Sequence, residues 1–344
     1  MDIFHSISGL WSPGSSACIL GRGWRLQGCP MGGAEIQEEL DDAELYSTLR
    51  SLLGGSDKKA AALFAPLAGC GKEKRIAAET AAAGLGIGRA DFSAEFGRIS
   101  AAYRLLPAGS RCIGSGRPAY PERLRAAGRT PAFLFILGRL NLITTNIISI
   151  IGTRTPDRDG MRLAADCALA LSGAGITVAS GLARGIDSAA LRACLDAGYP
   201  CVAVIGTPLN RVYPPENARL QEAIAQSGLL ISPFSPDQTV RRWFFPRRDA
   251  VMSGISLGSL IAEAGEKSGA LIQAEFARRQ GRLVLIPRSA MEDPGLCWPE
   301  AYQGAEGTLV FGSAAELIDM LRSRMAESAA RTQPELFPRS QLKP

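Results

Sequence analysis

Glycines, hydroxyls and arginines gather at short intervals in the second half of the chain, each set directly after an apolar run. Gly152, Thr153 and Arg154 follow one run, with Gly160 a few residues on. Ser180, Gly181, Arg184, Gly185 and Asp187 follow the next, Gly206 and Thr207 a third, and Glu263, Lys267, Ser268 and Gly269 a later one. Glycine lets backbone N–H groups approach an anion, a helix start adds partial positive charge, and Thr, Ser, Arg and Lys supply further donors; each turn has the parts of a phosphate cradle. A glycine that only permits a tight turn explains any one of them equally well. Four such turns on one edge point to phosphate.

A second constellation, TVRRWFFPRR over 239–248, interleaves Arg241, Arg242, Arg247 and Arg248 with Trp243, Phe244 and Phe245. Guanidinium groups neutralise phosphates and aromatic faces stack on unpaired bases, a combination suited to single-stranded nucleic acid. The alternative is that one or two of these aromatics are core and the arginines form a solvated face.

The elements that must hold these turns alternate. Apolar runs at 147–152, 176–180 and 201–206 are each followed by a helical pattern; runs at 229–232, 257–264 and 283–287 extend the set, and a last helix, AAELIDMLRSRM, closes it. The runs lack two-residue polar alternation, as parallel strands buried on both faces by crossover helices do. The expected fold is α/β, a Rossmann-like, doubly wound, mainly parallel sheet, in which a ligand lies outside the carboxyl ends of the strands. Ahead of it, 31–105 reads as a small helical domain. The main domain is expected over 106–326, entered through a connector at 106–145 with a strand at Phe133–Leu137. Residues 327–344 read as a flexible tail and 1–30 as a disordered leader or a misplaced start, with Met31 the alternative first residue.

Composition narrows the chemistry. A hydrophobic share of 46% and a charged share of 21% over 344 residues describe a globular chain with a sizeable core, and a net charge of +5 is compatible with a polyanionic partner. The single histidine is His5, in the leader, which excludes an imidazole base in the main domain and with it Ser-His-Asp and Cys-His catalysis. Eight cysteines include no C-x-x-C pair, and Cys167, Cys194 and Cys201 fall within predicted elements, where buried thiols are expected rather than a metal site or disulfides. No apolar run reaches the length of about 18 residues that marks a membrane span, and the leader lacks the pattern of a secretory signal, so a cytoplasmic protein without membrane contact is expected. The first turn, GTRTPDRDG, is not G-x-G-x-x-G, Ser180 rather than an acid ends the second strand, and no Walker motif is present; neither a dinucleotide nor another cofactor is expected.

An ordered series of motifs resembles the DNA-processing protein A (DprA/Smf) family: YPERL at 120–124, PAFLFILG, GTR with Gly160, SGLARGID at 180–187, VIGTPLNRVYPPEN at 204–217, FPRR at 245–248 and EKSGALIQAE at 266–275. The resemblance implies a Rossmann-like domain that binds single-stranded DNA in natural transformation, helps to load a RecA-type recombinase, forms a homodimer and is not an enzyme. By position, the implied DNA pocket includes Gly152, Arg154, Ser180, Gly181, Arg184, Arg247, Arg248, Lys267 and Ser268. Departures stand at Leu191, where the family has histidine, at Ser232-Pro233-Phe234, at Asp249 and Ala250 in place of a neutral and a basic residue, at Gln273 and at Arg288. A carboxylate gained and a guanidinium lost beside phosphates should weaken DNA affinity. The region before Ala102 shows no convincing helix-hairpin-helix signature, and no C-terminal winged helix is expected. Two other readings remain: a nucleotide hydrolase of the lysine-decarboxylase-like (LOG) type using Glu263 or Glu266, and a nucleotide-sensing domain that has lost DNA binding.

Overall fold

The computed structural model describes residues 33–332 other than 129; the leader with His5 and the end of the expected tail lie outside them. Four helices come first: α1 (Gly33–Leu52), α2 (Asp57–Phe64), α3 (Lys74–Ala83) and α4 (Arg89–Tyr103). Leu45, Leu49, Leu67, Ala78, Ala82 and Phe92 close a small core among them. Strand β1 (Arg111–Gly114), helix α5 (Glu122–Ala126) and strand β2 (Phe133–Gly138) follow.

Strand–helix alternation then runs as β3 (Ile147–Gly152), α6 (Arg158–Gly173), β4 (Thr177–Ser180), α7 (Ile186–Asp196), β5 (Val202–Val204), α8 (Ala218–Ser227), β6 (Leu229–Ser232), α9 (Phe244–Ile255), β7 (Gly258–Glu263), α10 (Gly269–Arg279), β8 (Leu283–Pro287), α11 (Arg288–Met291), β9 (Thr308–Phe311) and α12 (Ala314–Thr332). The sheet order is β1-β2-β6-β5-β4-β3-β7-β8-β9. Strands β3 to β9 pair in parallel, and β2 joins both β1 and β6 antiparallel. The expected doubly wound, mainly parallel sheet is what forms.

Differences lie at its margins. The connector contributes two strands, β1 and β2, where one was expected. Strand β9 was not expected, and α12 continues to Thr332, into the region read as tail.

Alternation within β3 shows how both faces are used. Ile148 and Ile150 pack with α6, α7, α8 and α12 residues such as Cys167, Leu171, Leu191, Ile224 and Leu321. Ile147 and Ile151 pack on the other side with Leu124 of α5, Val251, Met252 and Ile255 of α9, and Ala274 and Ala277 of α10. From β3 the chain winds one way through β4, β5 and β6, and after α9 it resumes on the other side of β3 at β7. That switch lies at the carboxyl ends of β3 and β7, the edge at which a doubly wound sheet binds its ligands.

Candidate functional site

The loop after β4 is built by its own side chains. Asp187 is buried, and its Oδ2 accepts from the backbone N–H groups of Gly181 (3.1 Å) and Ala183 (3.2 Å). Asn217 Nδ2 donates to the carbonyls of Leu182 (3.0 Å) and Ala183 (3.3 Å). Leu182 takes a positive φ of 57° and Gly185 one of 73°, which turns the chain into α7 and leaves Arg184 exposed at the tip. Ser180 Oγ donates to the Ile150 carbonyl at 2.7 Å, tying β4 to β3.

Several glycines serve close approach by side chains. A Cβ on Gly181 would overlap the guanidinium of Arg248, one on Gly206 would lie 2.7 Å from the Phe245 ring, and one on Gly160 would overlap the Glu263 carboxylate. A Cβ on Gly152 would lie 2.4 Å from Ile186 Cγ1 and 2.7 Å from the Glu263 carbonyl oxygen. Thr153 continues that seam: its N–H donates to the Glu263 carbonyl (2.8 Å) and its carbonyl accepts from Ile186 N–H (3.3 Å).

Helix α9 with its N-cap Trp243 distributes WFFPRR over three faces, as a period of 3.6 residues requires, and residues 239–242 precede the helix. Phe244 and Arg248 point into the core, Trp243 and Arg247 share a second face, and Phe245 faces the strand ends. Arg248, expected among the phosphate ligands, is only 5% exposed. Its Nη1 donates to the Val204 carbonyl at 2.9 Å, and its Nε lies 3.1 Å from Asp249 Oδ1. Burial raises the carboxyl of Asp187 and pushes that of Asp249 up to about 6, while Arg248 opposes both shifts. Arg248 thus braces the ends of β4 and β5 from beneath.

The exposed functional groups lie above this brace. The guanidinium carbon of Arg154 sits 5.9 Å from the centroid of the Phe245 ring, and Tyr213 faces the same ring at 5.5 Å with a tilt of 53°. Arg184 pairs with Glu216 at the rim. Tyr213, Glu216 and Asn217 all come from the VYPPEN segment, whose motif marked the region without revealing which side chains would face that edge. Among the described residues, Arg154, Arg211, Arg241 and Arg242 are exposed and form no ion pair. Lys267, Ser268 and Gly269 lie on the β7–α10 turn; Ser268 caps α10 by accepting from Ala270 N–H, and among the described residues no hydrogen bond or ion pair links this turn to the Arg154 cluster.

The carboxylates on this edge are engaged. Glu263 Oε2 accepts from Asp157 N–H at 3.2 Å, where Asp157 in turn caps α6 through Gly160 N–H at 2.7 Å. Glu266 Oε1 accepts from the N–H groups of Cys297 (2.6 Å) and Trp298 (3.1 Å). One carboxylate oxygen of each residue in the hydrolase reading is thus held by backbone amides. The departures that favoured a nucleotide sensor also read differently in place: Leu191 is core, and Asp249 is turned beneath the edge toward Arg248. Among the described residues no helix is long and apolar enough to cross a membrane.

Fold and site together define a class: a doubly wound α/β protein with an arginine- and aromatic-lined edge at its strand ends. Residues 111–322 match the family described as DNA recombination-mediator protein A, and the chain belongs to that family. It is 37% identical over 195 residues to Protein Smf of Synechocystis, covering 55% of this chain and 49% of that one. It is 35% identical over 174 residues to DNA processing protein DprA of Streptococcus pneumoniae, covering 50% and 61%. The matched stretch therefore spans about half to three fifths of the curated relatives. The X-ray structure of the Streptococcus pneumoniae DprA superposes with a TM-score of 0.60 at 26% identity, covering 82% of this chain and 96% of that one. A DNA processing protein A from Helicobacter pylori shares the fold, with a TM-score of 0.54 at 22% identity over 62% of this chain and 99% of that one.

Proposed function

We propose that this chain binds single-stranded DNA along the strand-end edge, without catalysing a reaction on it, as a recombination mediator that presents the strand to a RecA-type recombinase and works as a homodimer. The observation that carries the reading is Arg154, exposed and without an ion pair among the described residues, poised over Phe245 with Tyr213 against the same ring: a cation for a phosphate beside aromatic faces for bases. DNA processing protein A from Helicobacter pylori is described as having a single-stranded DNA binding mode, and the shared fold supports the same ligand here. The engagement of Glu263 and Glu266 by backbone amides supports a binding rather than a hydrolytic role.

The test is oligo(dT) binding followed across a salt series. Arg154→Ala should weaken binding about tenfold and flatten the log–log salt slope by about 0.7, the loss of one phosphate contact. Phe245→Ala should cost about 1–3 kcal/mol of binding, as one stacked base does. Absence of binding by the unsubstituted chain at low salt, or indifference to both substitutions, would retire the proposal.

A further inference from the structure

The second face of α9 turns away from the Arg154 cluster, toward the N-terminal helices. Trp243 is 51% exposed there although it is large and apolar, and it is supported edge-on by the buried rings of Phe234 and Phe244. One helical turn later, Arg247 holds its guanidinium carbon 5.9 Å from the Trp243 ring and 6.0 Å from Phe234. Arg247 Nη1 is met at 2.8 Å by Asp57 Oδ2, from the first residue of α2.

Asp57 is placed there by several contacts. Tyr46 Oη donates to the Asp57 carbonyl (3.1 Å) and to its carboxylate (3.4 Å), and Ser56 caps α2 by accepting from Lys59 N–H. Helix α1 is itself fixed to the segment before α9 by Arg50, which pairs with Asp237 at 3.1 Å with side chains 12% and 4% exposed. A carboxylate therefore sits where an anionic oxygen would sit on a guanidinium flanked by an open indole. Arg241 and Arg242, the two residues before Trp243, are exposed and form no ion pair among the described residues.

We infer that Trp243 and Arg247 form a second nucleotide subsite, across α9 from the Arg154 cluster, and that Asp57 is its resident counter-ion, which a DNA phosphate must displace. This rests on the proposed single-stranded DNA binding. A base stacks on Trp243 while its phosphate takes the place of Asp57 on Arg247. Asp57 thereby lowers affinity for strands long enough to cross α9 and leaves shorter ones unaffected.

Fluorescence anisotropy with oligo(dT) of about 4 and about 16 nucleotides, lengths that fill one subsite or span several, separates the two sites. On the full chain, Asp57→Asn keeps the side-chain volume and should tighten binding of the long strand about three- to tenfold while leaving the short one unchanged. Trp243→Ala and Arg247→Ala should weaken the long strand selectively, and Asp57→Asn should add nothing in the Arg247→Ala background. Long-strand affinity unchanged or lowered by Asp57→Asn, a gain shared by the short strand, or a gain that survives Arg247→Ala would overturn the subsite. Failure of the unsubstituted chain to bind either strand would instead sink the proposed function.

Discussion

At the scale of single residues, the arginines of FPRR have parted roles that one-dimensional reading cannot separate. Arg247 lies on the surface and Arg248 in the core, because adjacent helical positions differ by about 100°. Replacing Arg248 by alanine removes the partner of Asp249 and the charge that offsets buried Asp187, and leaves the Val204 carbonyl without its donor. Breaking a buried ionic group in this way costs roughly 3–5 kcal/mol. Urea denaturation should show Arg248→Ala losing that much stability, while Arg154→Ala, on the exposed rim, loses almost none; equal small losses would show that Arg248 is not a brace. The glycines carry the same lesson. Gly160, Gly181 and Gly206 were legible as places of close approach, yet what approaches them is Glu263, Arg248 and Phe245. A sequence shows that a side chain is missing and not what fills the space.

At the scale of elements, the alternation of buried strands and amphipathic helices was legible because a parallel sheet covered on both faces demands long apolar runs. Strands β1 and β9 were not, since four residues at a sheet margin carry too short a pattern to stand out. Helix α9 was hidden for the opposite reason: Phe244, Val251, Met252, Ser253, Gly254 and Ile255 are all buried, so no polar stripe marks it. The β4–α7 loop depends on Gly185, whose φ of 73° is joined by an absence of space, because a Cβ would lie 2.5 Å from the Thr153 carbonyl oxygen. Gly185→Ala should therefore destabilise the fold by about 1–3 kcal/mol, the cost of a non-glycine residue held in the left-handed region with added overlap. It should also weaken oligo(dT) binding, since Thr153 precedes Arg154 and Gly185 follows Arg184. A neutral effect on both stability and binding would show that the loop rearranges freely.

At the scale of the whole molecule, the helices before the sheet share its core: Ala43 of α1 and Ile99 and Tyr103 of α4 belong to the same buried cluster as Phe135 and Ile150. Composition marked 31–105 as helical, but its attachment depends on pairs distant in sequence, such as Tyr103 on Phe135 and Arg50 with Asp237, which no local pattern announces. One such contact makes the attachment sensitive to pH. Glu39 of α1 is buried at the start of the sheet, where its Oε2 accepts from Gly114 N–H of β1 at 3.2 Å and Arg117 Nε lies 3.3 Å from Oε1. Burial outweighs both partners and pushes its carboxyl up to about 7 from an ordinary 4.5. Between those values the folded state holds a proton that the unfolded chain has released, so the contribution of protonated Glu39 is complete below about pH 4.5, falls as pH rises toward 7, and is lost above it. Glu39→Gln keeps an acceptor for Gly114 and imitates the protonated form at every pH. The variant should melt about 2–4 °C above the unsubstituted chain at pH 8 for each kcal/mol of penalty removed, and the two should converge at pH 4.5. Amide exchange at Gly114 should slow in the variant at pH 8, which locates the effect at the seam between α1 and β1. A melting difference that is constant with pH, or a variant less stable at pH 8, would mean that the ion pair with Arg117 outweighs the cost of burying the charge.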